Sequence, residues 1–216
     1  MASPAKTGNR TKPARSTISL RERKHLRARQ TILEEATRLF LTKGYSATTL
    51  KDIADASETS VATIVRYFNS KEAILLYKDR AVVAQVAERV RARAYKSLSE
   101  GVRDAMWTSV LGFKEERAPL FDLIWNDPAG IPLQAAMRRD WEEVLEQLFL
   151  QFSPDTPAAH LRAKSLAYML VASGMAGLEF WHENGKQADV ATLQPELIDE
   201  FVNAFVVPLE KNASPT

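Results

Sequence analysis

From Leu26 onward the apolar residues recur with the period of a helix. Ile32, Leu33, Ala36, Leu39 and Phe40 fall at i, i+1, i+4, i+7 and i+8 and make a single stripe. Gly44 ends that helix, and Lys43 in its last turn suits the negative helix end. Thr49 then stands as an N-cap with Asp52 at N3, where a carboxylate answers free N–H groups. Leu50, Ile53 and Ala54 form the inner face of a short helix that ends near Ala56. Ser57, Glu58 and Thr59 make a tight turn, and a second short helix runs from about Ser60 to Tyr67. Ile64 and Phe68, four apart, anchor it. Asn69 and Ser70 are cap candidates for a long helix from Lys71 to about Leu98.

Beyond Gly101 the pattern predicts helices at roughly 102–114, 118–126, 132–152, 158–183 and 195–210, separated by Gly and Pro signals. No stretch alternates with period two, and neither an internal repeat nor a Gly-rich phosphate loop is present. The chain is expected to be all-α, with about nine helices. Three regions follow. Residues 1–22 are a basic arm expected to be disordered, 23–70 a small helical domain, and 71–216 a larger one.

Charge sharpens this division. The formal net charge of +2 conceals nine basic residues against one acidic residue in positions 1–30, so that segment carries +8 and the remainder −6. Such a split suits a nucleic-acid-facing end and a body with another task, although a solvated tail has the same composition. The chain has no Cys, which excludes disulfides, thiolate catalysis and Cys-ligated metal. Met1–Ser19 has no apolar core of a secretory signal, and the most membrane-like run, Ser165–Leu178, is shorter than the ~20 residues a span needs. A soluble, cytoplasmic protein is expected.

A helix-turn-helix needs two short helices crossing steeply over a small apolar core, with the outer face of the second left for the major groove. Residues 49–68 supply a capped first helix, a compact turn, and Ile64 and Phe68 as inward pegs. Two amphipathic helices of an ordinary bundle would also fit those features. Specificity comes from the run Gly44-Tyr45-Ser46-Ala47-Thr48-Thr49-Leu50-Lys51-Asp52-Ile53-Ala54, followed by Thr63-Ile64-Val65-Arg66-Tyr67-Phe68-Asn69-Ser70-Lys71-Glu72-Ala73-Ile74. Over residues 28–76 this closely resembles the N-terminal domain of TetR-family regulators.

That resemblance implies a DNA-binding set of Thr49, Lys51, Ser60, Val61, Ala62, Thr63, Val65, Arg66, Tyr67 and Lys71. Thr49 would cap the first helix and touch a phosphate. Lys51 would point to base edges, and Val61, Ala62 and Val65 occupy the usual base-reading positions. Thr63, Tyr67 and Lys71 match phosphate contacts. The sequence departs from the pattern at Glu58, where Gly is common in the turn, at Thr59, where an apolar residue is usual, and at Val65, where Tyr is frequent. Val61, Ala62 and Val65 can contact thymine methyl groups but cannot hydrogen-bond to base edges, so Lys51 should carry most of the polar readout and the arm should add affinity. Val61 could alternatively extend the Ile64/Phe68 face into the core.

The resemblance also implies a dimer that binds an inverted-repeat operator in double-stranded DNA and a small-molecule effector that releases it. Helices 158–183 and 195–210 are the candidate homodimer interface, with Ser173 and Gly177 letting another helix approach closely. Met106, Trp107, Phe113, Phe121, Trp125, Met137 and Trp141 are candidate lining for an apolar or aromatic effector, and would equally serve as ordinary core. Effector binding would shift the 71–98 helix, whose start carries Lys71. Two competing classes remain open. Glu22/His25 and Glu179/His182 are Glu-x-x-His pairs of a kind used in di-iron bundles, though without a full ligand set. The basic arm alone would suit a non-specific DNA-binding protein. On balance no catalytic residue, metal or cofactor is expected.

Overall fold

A computed structural model of the chain describes residues 19–110, 117–185 and 190–213. The arm of residues 1–22 falls outside it except for its last four residues, and Phe113 also lies outside the described residues. The described chain is all-α. Its helices are α1 (Leu20–Lys43), α2 (Leu50–Ala56), α3 (Val61–Phe68), α4 (Lys71–Leu75), α5 (Tyr77–Arg91) and α6 (Leu98–Val110). They continue with α7 (Ala118–Asn126), α8 (Gly130–Gln151), α9 (Pro157–Glu183), α10 (Val190–Phe201) and α11 (Val207–Ala213), a π-helical turn at Val202–Val206 joining the last two.

Helix α1 begins before its apolar stripe. Ser19 caps it: the Ser19 hydroxyl accepts from the Glu22 N–H at 3.2 Å, and the Glu22 carboxylate accepts from the Ser19 N–H at 2.7 Å. Hydrophobic periodicity could not reveal this turn, because Leu20 and Leu26 are both exposed. Residues 19–22 are therefore a cap and first turn, and α1 carries Arg21, Arg23, Lys24 and Arg27 on its exposed N-terminal half. Further along, Ile32, Ala36 and Phe40 are buried at i, i+4 and i+8. Gly44 ends the helix at φ +90°, a conformation that L side chains avoid, and its N–H reaches the Phe40 carbonyl.

Helix α2 starts as its sequence foretells. The Thr49 hydroxyl accepts from the Asp52 N–H at 3.0 Å, while the Thr49 N–H and hydroxyl both donate to Asp52 Oδ2 at 2.7 Å. Lys43 adds an ion pair to the same oxygen at 3.0 Å. These donors hold the Asp52 carboxyl far below its ordinary value, the Thr49 hydroxyl contributing most. The following turn solves its missing glycine by strain: Glu58 adopts φ +50°, and the Thr59 N–H closes on the Ala54 carbonyl at 2.9 Å. Ser60 caps α3, whose Ile64 and Phe68 are buried.

Two of the predicted helices are each split. The 71–98 helix breaks at Leu76, which is 1% exposed, and its second part ends at Arg91. Apolar periodicity gives no sign of the break, because Ile74, Leu75 and Leu76 run through it and all three are buried. The 195–210 helix starts earlier, at Val190, with Pro195 inside it, and is interrupted by the π-helical turn. Helix α8 packs most extensively on α9, and α5 and α6 pack against α8.

The buried residues form two clusters. One joins Ile32, Phe40, Ile53, Ile64 and Phe68 to Leu120, Phe121 and Ile124 of α7 and to Met137 and Trp181, crossing the expected boundary at residue 70. The other fills the space between α5, α6, α8, α9 and α10.

Two outcomes follow. Glu58→Gly removes left-handed strain and should stabilise the chain by about 0.5–1 kcal/mol in urea unfolding, the relief being partly offset by the freer unfolded glycine; a destabilised variant would mean that the turn is not strained. Because the folded Asp52 carboxyl lies far below its ordinary value of 3.8, its contribution is full above that pH and is lost as the pH falls below it. The melting-temperature advantage of the wild type over Asp52→Asn should therefore be present at neutral pH and shrink steadily below about pH 4; an advantage independent of pH contradicts the assignment.

Candidate nucleic-acid interface and internal cavity

The face is set by which residues α3 buries. With Ile64 and Phe68 turned inward, the remaining positions of this two-turn helix face out: Val61 is 39% and Val65 41% exposed, and Ala62 and Arg66 are exposed beside them. Val61 thus does not extend the core. Ser60 and Thr63 stand at the start of the helix with their hydroxyls 3.0 Å apart. Arg66 lies over the Tyr67 ring, 5.4 Å from its centroid. At the start of α2, the capping Thr49 and the first-turn Lys51 are both exposed, and Lys51 makes only a long, solvated pair with Asp55 at 3.9 Å.

Two residues stand differently from their expected roles. The Lys71 ammonium donates to the Tyr45 and Thr48 carbonyls, both at 2.8 Å, and sits 4.1 Å from the centroid of the Tyr45 ring. It acts as a strut between α4 and the α1–α2 loop, with its pKa pushed down by partial burial and pulled back by Asp127. Two of its three N–H donors are thereby committed to the protein. Tyr67 is half-buried, and its hydroxyl lies 2.9 Å from His25 Nδ1. That contact brings the basic N-terminal half of α1 alongside α3, a juxtaposition the sequence could not show because the two are separated by 42 positions. It also occupies His25, while Glu22 closes the α1 cap; His182 stands 3.0 Å from Asp122. Among the described residues no cluster of three or more His, Cys, Asp or Glu side chains could hold a metal ion.

Beneath this domain lies a cavity lined by residues from α4 to α10. Of the expected lining residues, Met106, Phe121, Met137 and Trp141 are there. Trp107 is not: it is 49% exposed. Trp125 is also absent from the wall, since it stacks on Phe121 at 5.0 Å and packs beside His182. Leu75, Leu76, Ile124, Leu145 and Val171 are among the further apolar residues of the wall. Aromatic and Met content pointed to the right helices but not to these aliphatic residues, which look like any core.

The wall also holds a charged pair that sequence reasoning missed. Arg117 and Asp79 are each 9% exposed, with Nη1 3.3 Å from Oδ1, and Arg117 Nη2 donates to the Ser109 carbonyl. Burial pushes the Asp79 carboxyl above its ordinary value, with Arg117 and then Trp141 working against it. Nothing in the local sequence pairs two residues 38 positions apart.

Cavity and surface are linked through α7. Leu120, Phe121 and Ile124 line the cavity, and Asp127, just past the end of the helix, grips the α1–α2 loop. Asp127 accepts from the Ser46 N–H and the Ala129 N–H, both at 2.9 Å, and from the Ser46 hydroxyl. Partial burial would raise its carboxyl, but these bonds and the charge of Lys71 hold it below its ordinary value. Gly130 allows the tight return into α8: a Cβ there would lie 2.0 Å from the Ile124 carbonyl oxygen.

Comparison with known proteins bears on this arrangement. Residues 32–77 match the model described as bacterial regulatory proteins, tetR family. The chain is 44% identical over 63 residues to the HTH-type transcriptional regulator TcmR of Streptomyces glaucescens, covering 29% of this chain and 28% of that one. It is 32% identical over 124 residues to the uncharacterized HTH-type transcriptional regulator YvkB of Bacillus subtilis, covering 56% of this chain and 63% of that one. The matches to these two relatives thus span less than two thirds of their lengths. In fold it is similar to NalD, the secondary repressor of the MexAB-OprM multidrug efflux pump in Pseudomonas aeruginosa. That likeness has a TM-score of 0.58 at 19% identity and covers 85% of this chain and 97% of NalD. The helix-turn-helix of α2 and α3 lies wholly within the residues that match the bacterial tetR family of regulatory proteins.

Proposed function

We propose that the chain is a homodimeric, sequence-specific DNA-binding regulator of transcription, released from an inverted-repeat operator by a small molecule held in the cavity. The observation that carries this reading is the outward face of α3. A short helix that buries Ile64 and Phe68 leaves Val61, Ala62 and Val65 free to enter a major groove. Those side chains offer methyl contacts to thymine, and Lys51 offers a cation to guanine O6 or N7. Thr63 and Arg66 beside them can meet phosphates, whereas Thr49 has both its donors on Asp52. The basic residues on the first half of α1, beside α3, add affinity that falls with salt. In this reading the chain is a binding protein and not an enzyme.

The proposed dimer uses the outer faces of α9 and of the α10–α11 region. Leu161 (68% exposed), Tyr168, Met169 and Phe180 lie on α9, with Leu197 and Phe205 beyond, forming an apolar surface of the kind that a partner covers. At Gly177 the helix that approaches closely is α10 of the same chain, the Cβ position lying 3.2 Å from Gln194.

Release would work by population shift. The long helix expected to carry the signal is divided at Leu76, and α7 offers a shorter route. A ligand that repositions Phe121 and Ile124 pulls on Asp127, which holds Ser46 and, through the same loop, the cap of α2. Repression relieved by ligand is the direction this favours.

Selection of bound sequences from a random DNA pool tests the reading as a whole. The expected result is an inverted repeat with T-rich contacts opposite α3 and a preference of about 10³ or more over random DNA. Val65→Tyr should alter the selected bases at that position; an unchanged preference would sink the placement of α3 on DNA. Asp127→Ala should raise amide exchange at Ser46 and Ala129 at least about tenfold while leaving Val83 in α5 unaffected. Equal exchange in both proteins would mean that α7 does not hold the loop.

A further inference from the structure

A helix seated in a major groove is bordered by phosphate backbones, and the edge of α3 nearest α1 carries a polar pair. The Tyr67 hydroxyl lies 2.9 Å from His25 Nδ1 in an exposed contact, the two rings meeting edge to face with centroids 5.9 Å apart. The surroundings are cationic. Arg21 and Arg29 stand four residues either side of His25 on α1, and Arg66 lies over the Tyr67 ring. Arg21, Arg23, Lys24, Arg27 and Arg66 have no ion-pair partner among the described residues. The acid nearest to His25 along α1, Glu22, is turned to the Ser19 N–H, and α3 has no acidic residue. The elements packed on α1 have their charges engaged: Asp52 and Asp55 of α2 pair with Lys43 and Lys51, Glu72 of α4 with Arg80, and Asp122 of α7 with His182. Lys71 of α4 is tied to two backbone carbonyls. Positive charge that no anion of the same chain answers is what a phosphate backbone neutralises.

Only one proton fits between the Tyr67 oxygen and His25 Nδ1, and the charge of the imidazole decides which group supplies it. A neutral ring with its proton on Nε2 accepts at Nδ1, so the hydroxyl spends its one proton on His25 and presents only lone pairs outward. A phosphate, itself an acceptor, is not bound by lone pairs. A protonated ring donates from Nδ1 to the Tyr67 oxygen, which frees the hydroxyl proton for another acceptor. We propose that His25 is a positioning residue for DNA binding: protonated, it turns the Tyr67 O–H to a phosphate of the bound duplex. The charge it gains also lies beside that phosphate, as in other charge-assisted hydrogen bonds. Because protonation favours the complex, the complex equally favours protonation. Affinity therefore rises as the pH falls through the range in which histidine titrates, about pH 5–8. The proposal rests on α3 meeting DNA, and adds a pH dependence that the aliphatic face of α3 does not have.

The full chain is titrated against two fluorescently labelled duplexes, one carrying the selected inverted repeat and one of random sequence, because a backbone contact serves both. The expected result is that wild-type affinity for each duplex rises about tenfold between about pH 8 and about pH 6, the factor that a hydrogen bond to a charged group supplies. The slope of log affinity against log salt should steepen by about one over the same interval. His25→Asn keeps a neutral amide beside Tyr67 and does not titrate, so its affinity should change by less than about twofold. Tyr67→Phe keeps the ring without the hydroxyl and should lose most of the rise. A wild-type affinity independent of pH, or a rise that survives in full in either variant, overturns the positioning role and leaves α3 on DNA. Failure of the wild type to bind either duplex at low salt overturns the DNA-binding reading itself.

Discussion

The rest of the structure depends on α7 being packed on two sides at once. Its residues Leu120, Phe121 and Ile124 belong to the same buried cluster as Phe40, Ile53, Ile64 and Phe68 of the helix-turn-helix, yet they also form a wall of the cavity. A helix of nine residues cannot shift toward one side without loosening its contacts on the other, because protein interiors are close-packed. Asp127 then fastens its end to the α1–α2 loop through the Ser46 N–H and hydroxyl. The surface that would meet DNA and the space that would hold a ligand are thus two faces of one packing problem.

On the surface side, the local chemistry is unusual in how its polar groups are used. Caps occupy the hydroxyls of Thr49 and Ser60 and the carboxylate of Asp52, and Lys71 is committed to two backbone carbonyls. What remains exposed on α3 is mainly aliphatic. The small domain is therefore stiff, with each helix start satisfied, and its outward face is left to contacts of shape and methyl groups. Positive charge arrives from a neighbour, since the Tyr67–His25 contact lays the basic half of α1 beside α3.

On the cavity side, a buried ion pair is placed where an apolar wall would cost less. Asp79 and Arg117 add little net stability in such a setting, because desolvation offsets their attraction. Their value is positional: Arg117, just before α7, ties Asp79 of α5 to the Ser109 carbonyl of α6.

Much of this was legible from the chain itself. The 3.6-residue stripe Ile32/Ala36/Phe40, the Thr49–Asp52 box and the Ile64/Phe68 pair are local patterns, and local patterns with their caps determine short helices. Glu58 stands where glycine is common, and the turn takes the left-handed conformation there all the same, at φ +50°. The failures share one physical origin. The start of α1, the break at Leu76, the outward turn of Trp107, the Ser46–Asp127 grip and the Asp79–Arg117 pair all depend on what lies opposite in space. Periodicity says which face of a helix is apolar, not which partner covers it, nor whether an aromatic side chain meets a core, a cavity or water. By itself the sequence determined an all-helical chain and the helix-turn-helix at its start. Only tertiary packing decided that α7 joins that domain to the cavity and that Asp79 and Arg117 meet in its wall.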